Sequence, residues 1–112
     1  MRYKVHNLQE GSRYGNWLHY WEQATGEKAR ICHRVGCYST QNLVGAHVQL
    51  DDPNDDRWWI VPLCQSCNCK RGGHFIVEGP LVWTEDPTVI LRSYQVDTIK
   101  SKMPKSKGNY CV

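Results

Sequence analysis

The sequence predicts a small α+β domain stapled by zinc, and three observations carry that expectation. One segment has helical periodicity, several short runs read as strands, and two close cysteine pairs stand far apart in a chain too short for a large core. At 112 residues the chain suits one domain. We take residues 1–99 as that domain, with its zinc-bearing part at about 30–77, and residues 100–112 as a basic tail.

The elements follow in chain order. Residues 2–6, RYKVH, read as a short strand. Asn16 then offers a helix N-cap and Gly26 a stop; between them Trp17, Leu18, Tyr20, Trp21 and Ala24 recur at three- and four-residue spacing, which makes one broad apolar face. Such a face packs on a core, the alternative being a surface that stacks on a ligand. Leu43 to Val48 is a short, largely apolar run, and DDPNDD at 51–56 is polar and turn-forming. RWWIV at 57–61 predicts a buried strand ended by Pro62. Cys64 to Lys70 predicts a turn entering a short helix, closed by Gly72-Gly73. The apolar segments Phe75-Ile76-Val77 and Leu81-Val82-Trp83 flank Glu78-Gly79-Pro80 and predict a hairpin or two edge strands; residues 88–96 predict a last strand. With the helix, these give an N-terminal helix before the zinc core and strands after it.

Composition narrows the function classes. Hydrophobic residues at 40% and charged residues at 22% are those of a folded chain, not a disordered one. No run of eighteen apolar residues is present, which excludes a membrane-spanning helix, and the opening residues MRYKVHNLQE lack the apolar stretch of a secretory signal. The expectation is a cytoplasmic protein whose six cysteines are metal ligands or free thiols rather than disulfides. The formal charge is +3, but Lys100, Lys102, Lys105 and Lys107 lie in an acid-free tail, so residues 1–99 are about neutral. A lysine tail reads either as a solvated terminus or as a contact for nucleic acid or another partner.

The cysteines carry the sharpest signal: Cys32-x4-Cys37, a gap of 26 residues, then Cys64-x2-Cys67. Zinc takes four soft donors in a tetrahedron, and two short pairs from distant positions supply them while closing a long loop. Gly36 puts a tight turn in the first pair, and the second opens a helix, where a thiol ionises more easily. Unliganded core thiols are the alternative. Cys69 competes as a fourth ligand, Cys111 reads as free, and His33 and His74 read as non-ligands beside a site already filled by four sulfurs.

These pairs, placed around Gly45-Ala46-His47-Val48 and Ile60-Val61-Pro62-Leu63-Cys64-Gln65-Ser66-Cys67-Asn68, resemble the HNH family of nucleases over roughly residues 30–77. They are similar also to small bacterial HNH-like proteins with GAHV followed by an IVPLC-x2-CN segment. The resemblance implies a treble-clef, ββα-metal core in which strand, loop, strand and helix hold a catalytic cation against a phosphate. It makes His47 the general base and Asn68 a cation ligand, with Mg2+ or Mn2+ as the cation. It also shows two departures: the position before the base, usually Asp, Glu or His, is Ala46, and the family's middle Asn is replaced by Trp59. The acids Asp51, Asp52, Asp55 and Asp56 read as a solvated turn, or as a source of the missing carboxylate. His47 itself reads equally as a hydrogen-bonded core residue.

Three functional readings follow. The first is a zinc-stabilised HNH-like module that binds DNA or RNA through Arg57, Lys70, Arg71 and the lysine tail without efficient catalysis. The second is an active metal-dependent endonuclease using His47 and Asn68. The third is a structural or protein-interaction domain in which an exposed Trp, Trp58 or Trp59, marks the contact surface.

Overall fold

The computed structural model describes residues 2–8, 16–69 and 73–92. They form one six-stranded antiparallel sheet and two helices, an α+β architecture. The strands are β1 (Arg2–Asn7), β2 (Leu43–Leu50), β3 (Trp59–Cys64), β4 (His74–Glu78), β5 (Leu81–Trp83) and β6 (Ile90–Leu91), in sheet order β4-β1-β2-β3-β5-β6. The helices are α1 (Trp17–Thr25) and α2 (Gln65–Asn68).

Helix α1 begins and ends where its signals put it. The Asn16 side chain accepts from the backbone N–H of His19 at 3.0 Å. Gly26, at φ 74°, ends the helix in the left-handed conformation and donates to Glu22 O at 2.9 Å. Its apolar face lies on the sheet: Trp21 is wholly buried with Ile60 and Val82, flanked by Trp17, Tyr20 and Ala24. Two of these rings have their polar handles satisfied, whereas Trp17 Nε1 is buried without a hydrogen-bond partner among the described residues. Trp21 Nε1 donates to Pro80 O at 2.9 Å and Tyr20 Oη to Trp83 O at 2.7 Å, which ties α1 to the far side of the sheet.

The opposite face carries the larger core, in which Val5, Ala46, Val48, Trp59, Val61, Leu63, Phe75, Val77 and Leu81 pack with Cys32, Cys64 and Cys67. The sheet curls so that the segment after Cys32 bridges two of its strands. His33 N donates to Pro62 O of β3, while Val35 N donates to Ile76 O and Glu78 N to His33 O of the bridging segment, all at 2.9 Å. This closure explains two differences from the sequence expectation. Strand β3 does not end at Pro62 but runs on to Cys64. Pro62 O faces the bridging segment, so the backbone of this residue points away from β2 and its missing N–H costs that ladder nothing. Nor do β4 and β5 form a hairpin: β4 pairs with β1 and β5 with β3, because the inner edge of β4 is taken by residues 33–35. The last expected strand is present as the short β6; residues 93–96 of it, and the tail at 100–112, lie outside the described residues. Among the described residues no helix is long and apolar enough to cross a membrane.

Candidate metal centre

The cysteine pairs reach one point from two directions. Cys32 and Cys37 bound the tight turn of the bridging segment, where Cys37 N donates to Arg34 O at 3.0 Å and Gly36 takes φ 94°. Cys64 ends β3 and Cys67 lies in α2, one helical turn on. The four Sγ atoms lie within 4.8 Å of one another, and Cys37 and Cys64 are 3.9 Å apart. Zinc–sulfur bonds of about 2.3 Å set the edge of a regular tetrahedron near ~3.8 Å, so this spacing fits four thiolates around one ion. Cys32, Cys64 and Cys67 are buried, which makes the set a closed one suited to a structural role.

Electrostatics separate the thiols. Burial pushes Cys32 up to about 12, so without a cation it stays protonated. Burial raises Cys64 as well, but the backbone N–H groups of Cys67 and Ser66 and the thiols of Cys37 and Cys32 outweigh it and hold Cys64 below its ordinary value. A bound divalent ion takes its sulfur ligands as thiolates, so metal uptake at this cluster releases protons, and the four-thiolate set belongs to the reduced chain. Cys69 is exposed and stands outside the group. His33 does too: its ring packs edge-on against Trp21, and Nδ1 donates to Glu78 O at 2.7 Å.

The residues that the nuclease resemblance singles out are not brought together. His47 is 5% exposed and faces α1, with the Trp17 ring centroid at 5.0 Å and that of Trp58 at 5.9 Å, both edge-on. Its neighbours in β2, Ala46 and Val48, point into the core on the other face. Asn68 lies on that other face, at the end of α2, where its carbonyl accepts from the Asn7 side chain. A general base and a cation ligand on opposite faces of a sheet cannot act on one phosphate. Arg57 is engaged as well: its guanidinium pairs with Asp55 at 2.8 Å and lies 4.6 Å from the Trp59 ring centroid. In return Asp55 is held below the usual carboxylate range, chiefly by that hydrogen bond. Lys70 and Arg71 lie outside the described residues. The tryptophans form no open patch. Trp59 is wholly buried, and Trp58 is part-buried against His47.

Burial lowers the pKa of His47, so the folded state prefers the neutral ring. A lowered histidine contributes stability that is complete above the unfolded value near ~6.5 and declines as pH falls below it, at up to about 1.4 kcal/mol per pH unit. Denaturant melts of the wild type and His47→Gln at pH 7.5 and 5.5 isolate this effect. The wild type is expected to lose more stability than the variant over that interval; equal losses would show that His47 titrates alike in both states.

The sequence reading overlooked one further set of side chains, His6, Asp51 and His74, whose donor atoms also lie within 4.8 Å of one another. A signal existed in the histidine of the first strand, but only the strand register joins it to the other two. Comparison with protein-family models, with curated proteins and with solved structures finds no match for this chain.

Proposed function

We propose that the chain is a zinc-stapled module of the HNH-like, treble-clef kind that binds nucleic acid without efficient catalysis. The convergence of four cysteine sulfurs is the observation that carries it. The order of parts supports the treble-clef assignment: a cysteine turn at 32–37, the β2–β3 hairpin, and a second pair at the start of α2. Binding rather than cutting follows from the burial of His47 beneath Trp17 and its separation from Asn68. Of the loop acids, Asp51 is paired with His6 and His74 and Asp55 with Arg57, rather than with His47 or Asn68. Acids outnumber lysine and arginine among the described residues. The phosphate contacts therefore fall to Lys70, Arg71 and the tail lysines, and the affinity is weak and salt-dependent.

Elemental analysis of the reduced protein is expected to give a zinc ion on the four cysteines, and Cys64→Ser is expected to lose that ion. Binding to duplex DNA across a salt series tests the partner. Replacing the four tail lysines by alanine is expected to flatten the slope of log K against log salt by about 3 to 4. A slope unchanged by those substitutions overturns nucleic-acid binding through the tail. Plasmid nicking with Mg2+ or Mn2+ is expected to stay at background; divalent-dependent nicking that disappears in His47→Ala would instead make the protein a working endonuclease.

A further inference from the structure

His6, Gln49 and His74 sit directly opposite one another on three adjacent strands, since His6 pairs in register with Gln49 of β2 and with His74 of β4. Residues in register share a face, and Asp51, two beyond Gln49, returns to it. The face is the one away from the cysteine cluster, because His6 lies between the core-facing Val5 and Asn7. Register thus places two imidazoles and a carboxylate together on rigid strands. His6 Nδ1 lies 2.9 Å from Asp51 Oδ1, and His74 Nδ1 lies 2.8 and 2.7 Å from the two carboxylate oxygens.

The hydrogen bonds around His6 decide what this cluster is built for. Gln49 Nε2 donates to Asp56 O at 2.8 Å, which fixes the amide with its oxygen toward His6 Nε2, 3.1 Å away. An amide oxygen only accepts, so His6 carries its proton on Nε2. His6 Nδ1 then faces a carboxylate oxygen, a gap that either a proton or a metal ion can bridge. A neighbouring group that donates to or accepts from one ring nitrogen, leaving the other to a metal, is how ligating histidines are oriented. Beside the cluster opens a depression of about 470 Å³ lined by His6, Gln49, Asp51, Asp52, Asp55 and Asp56, which leaves room for water or a ligand at the remaining coordination positions.

We infer that His6, Asp51 and His74 form a second metal site, an open two-histidine, one-carboxylate centre for a divalent first-row transition ion of the zinc class. Two nitrogens and one oxygen suit such an ion, and three protein ligands with vacant positions are the coordination of reactive zinc rather than structural zinc. The surrounding carboxylates disfavour a phosphate substrate, so this centre is separate in chemistry as well as place from the nuclease cation. It stands independently of the four-cysteine reading.

The test titrates the reduced protein with Zn2+ and with Co2+ in wild type, Asp51→Asn, His74→Gln and Gln49→Leu. Two ions per chain are expected in wild type and one in Asp51→Asn or His74→Gln, with unchanged circular dichroism. Cobalt reports the two sites separately: thiolate charge-transfer absorption marks the cysteines, and added ligand-field absorption without it marks the new centre. Gln49→Leu, a positioning change, is expected to weaken only the second ion, by 10- to 100-fold. If wild type and Asp51→Asn both take up one ion, with thiolate absorption, the cluster is an ion-paired triad and the inference fails. If wild type takes up one ion without thiolate absorption and Asp51→Asn none, the second site stands and the four-cysteine reading fails.

Discussion

Stripping zinc from the reduced protein with a strong chelator is expected to unfold it, with loss of its β circular dichroism and a red shift of tryptophan emission, and added zinc is expected to restore both. The magnitude argues for a complete effect. Structural zinc in small modules is worth about 10 kcal/mol or more at neutral pH, whereas a domain of this size is stable by roughly 5 to 10 kcal/mol without such a staple. The location argues the same way. Cys32 and Cys37 bound the segment that bridges β3 to β4, so the ion would fix the curl of the whole sheet rather than one loop. Cys32→Ser is expected to reproduce the unfolding, since Cys32 is wholly buried, while Cys69→Ser, exposed and outside the cluster, should leave zinc content and melting unchanged. A chain that is zinc-free by elemental analysis yet melts as before would show that the four sulfurs are ordinary core residues.

What could be read in advance depended on how local the cause was. Helix α1 was legible because Asn16, Gly26 and the intervening apolar spacing act within the helix itself. The cysteine grouping was legible because metal geometry restricts which spacings meet, and the four sulfurs do converge. Pro62 misled, since a proline ends a strand only where its missing N–H is needed, and here its carbonyl faces a segment some thirty residues earlier. Of the two alternatives expected for Phe75 to Trp83, a hairpin or two edge strands, the hairpin is absent because of a long-range competitor for β4. Strand β4 does stand at the edge of the sheet. His6, Asp51 and His74 were invisible because no spacing in the sequence encodes cross-strand register. The role expected for His47 was judged by a neighbourhood of residue types, which is silent on the face a side chain takes; alternation along β2 turns it toward α1.

The glycine two residues before that histidine is where a single added carbon should do most harm. Gly45 lies on the same face as His47, and a Cβ built there would stand 2.5 Å from both Leu18 N and Trp17 C. Both are backbone atoms at the start of α1, so no side-chain rotation relieves the contact. The helix must lift, and with it Trp21, whose ring is wholly buried against Ile60 and Val82. Overpacking of a rigid contact commonly costs 1 to 3 kcal/mol, and a clash with two helix backbone atoms belongs at or above the upper end, so Gly45→Ala is expected to cost about 3 kcal/mol. At roughly 4 to 8 °C per kcal/mol, its melting temperature should fall by about 12 °C or more. Gly73→Ala, whose Cβ would meet nothing within 4 Å, is the control and should change stability by less than about 0.5 kcal/mol. The variant also separates the two faces of the sheet. Its defect lies under α1, so zinc uptake by the cysteines should persist while tryptophan emission reports a loosened helix. Gly45→Ala melting like the wild type would mean that α1 does not rest on β2, and the burial of His47 would lose its cause.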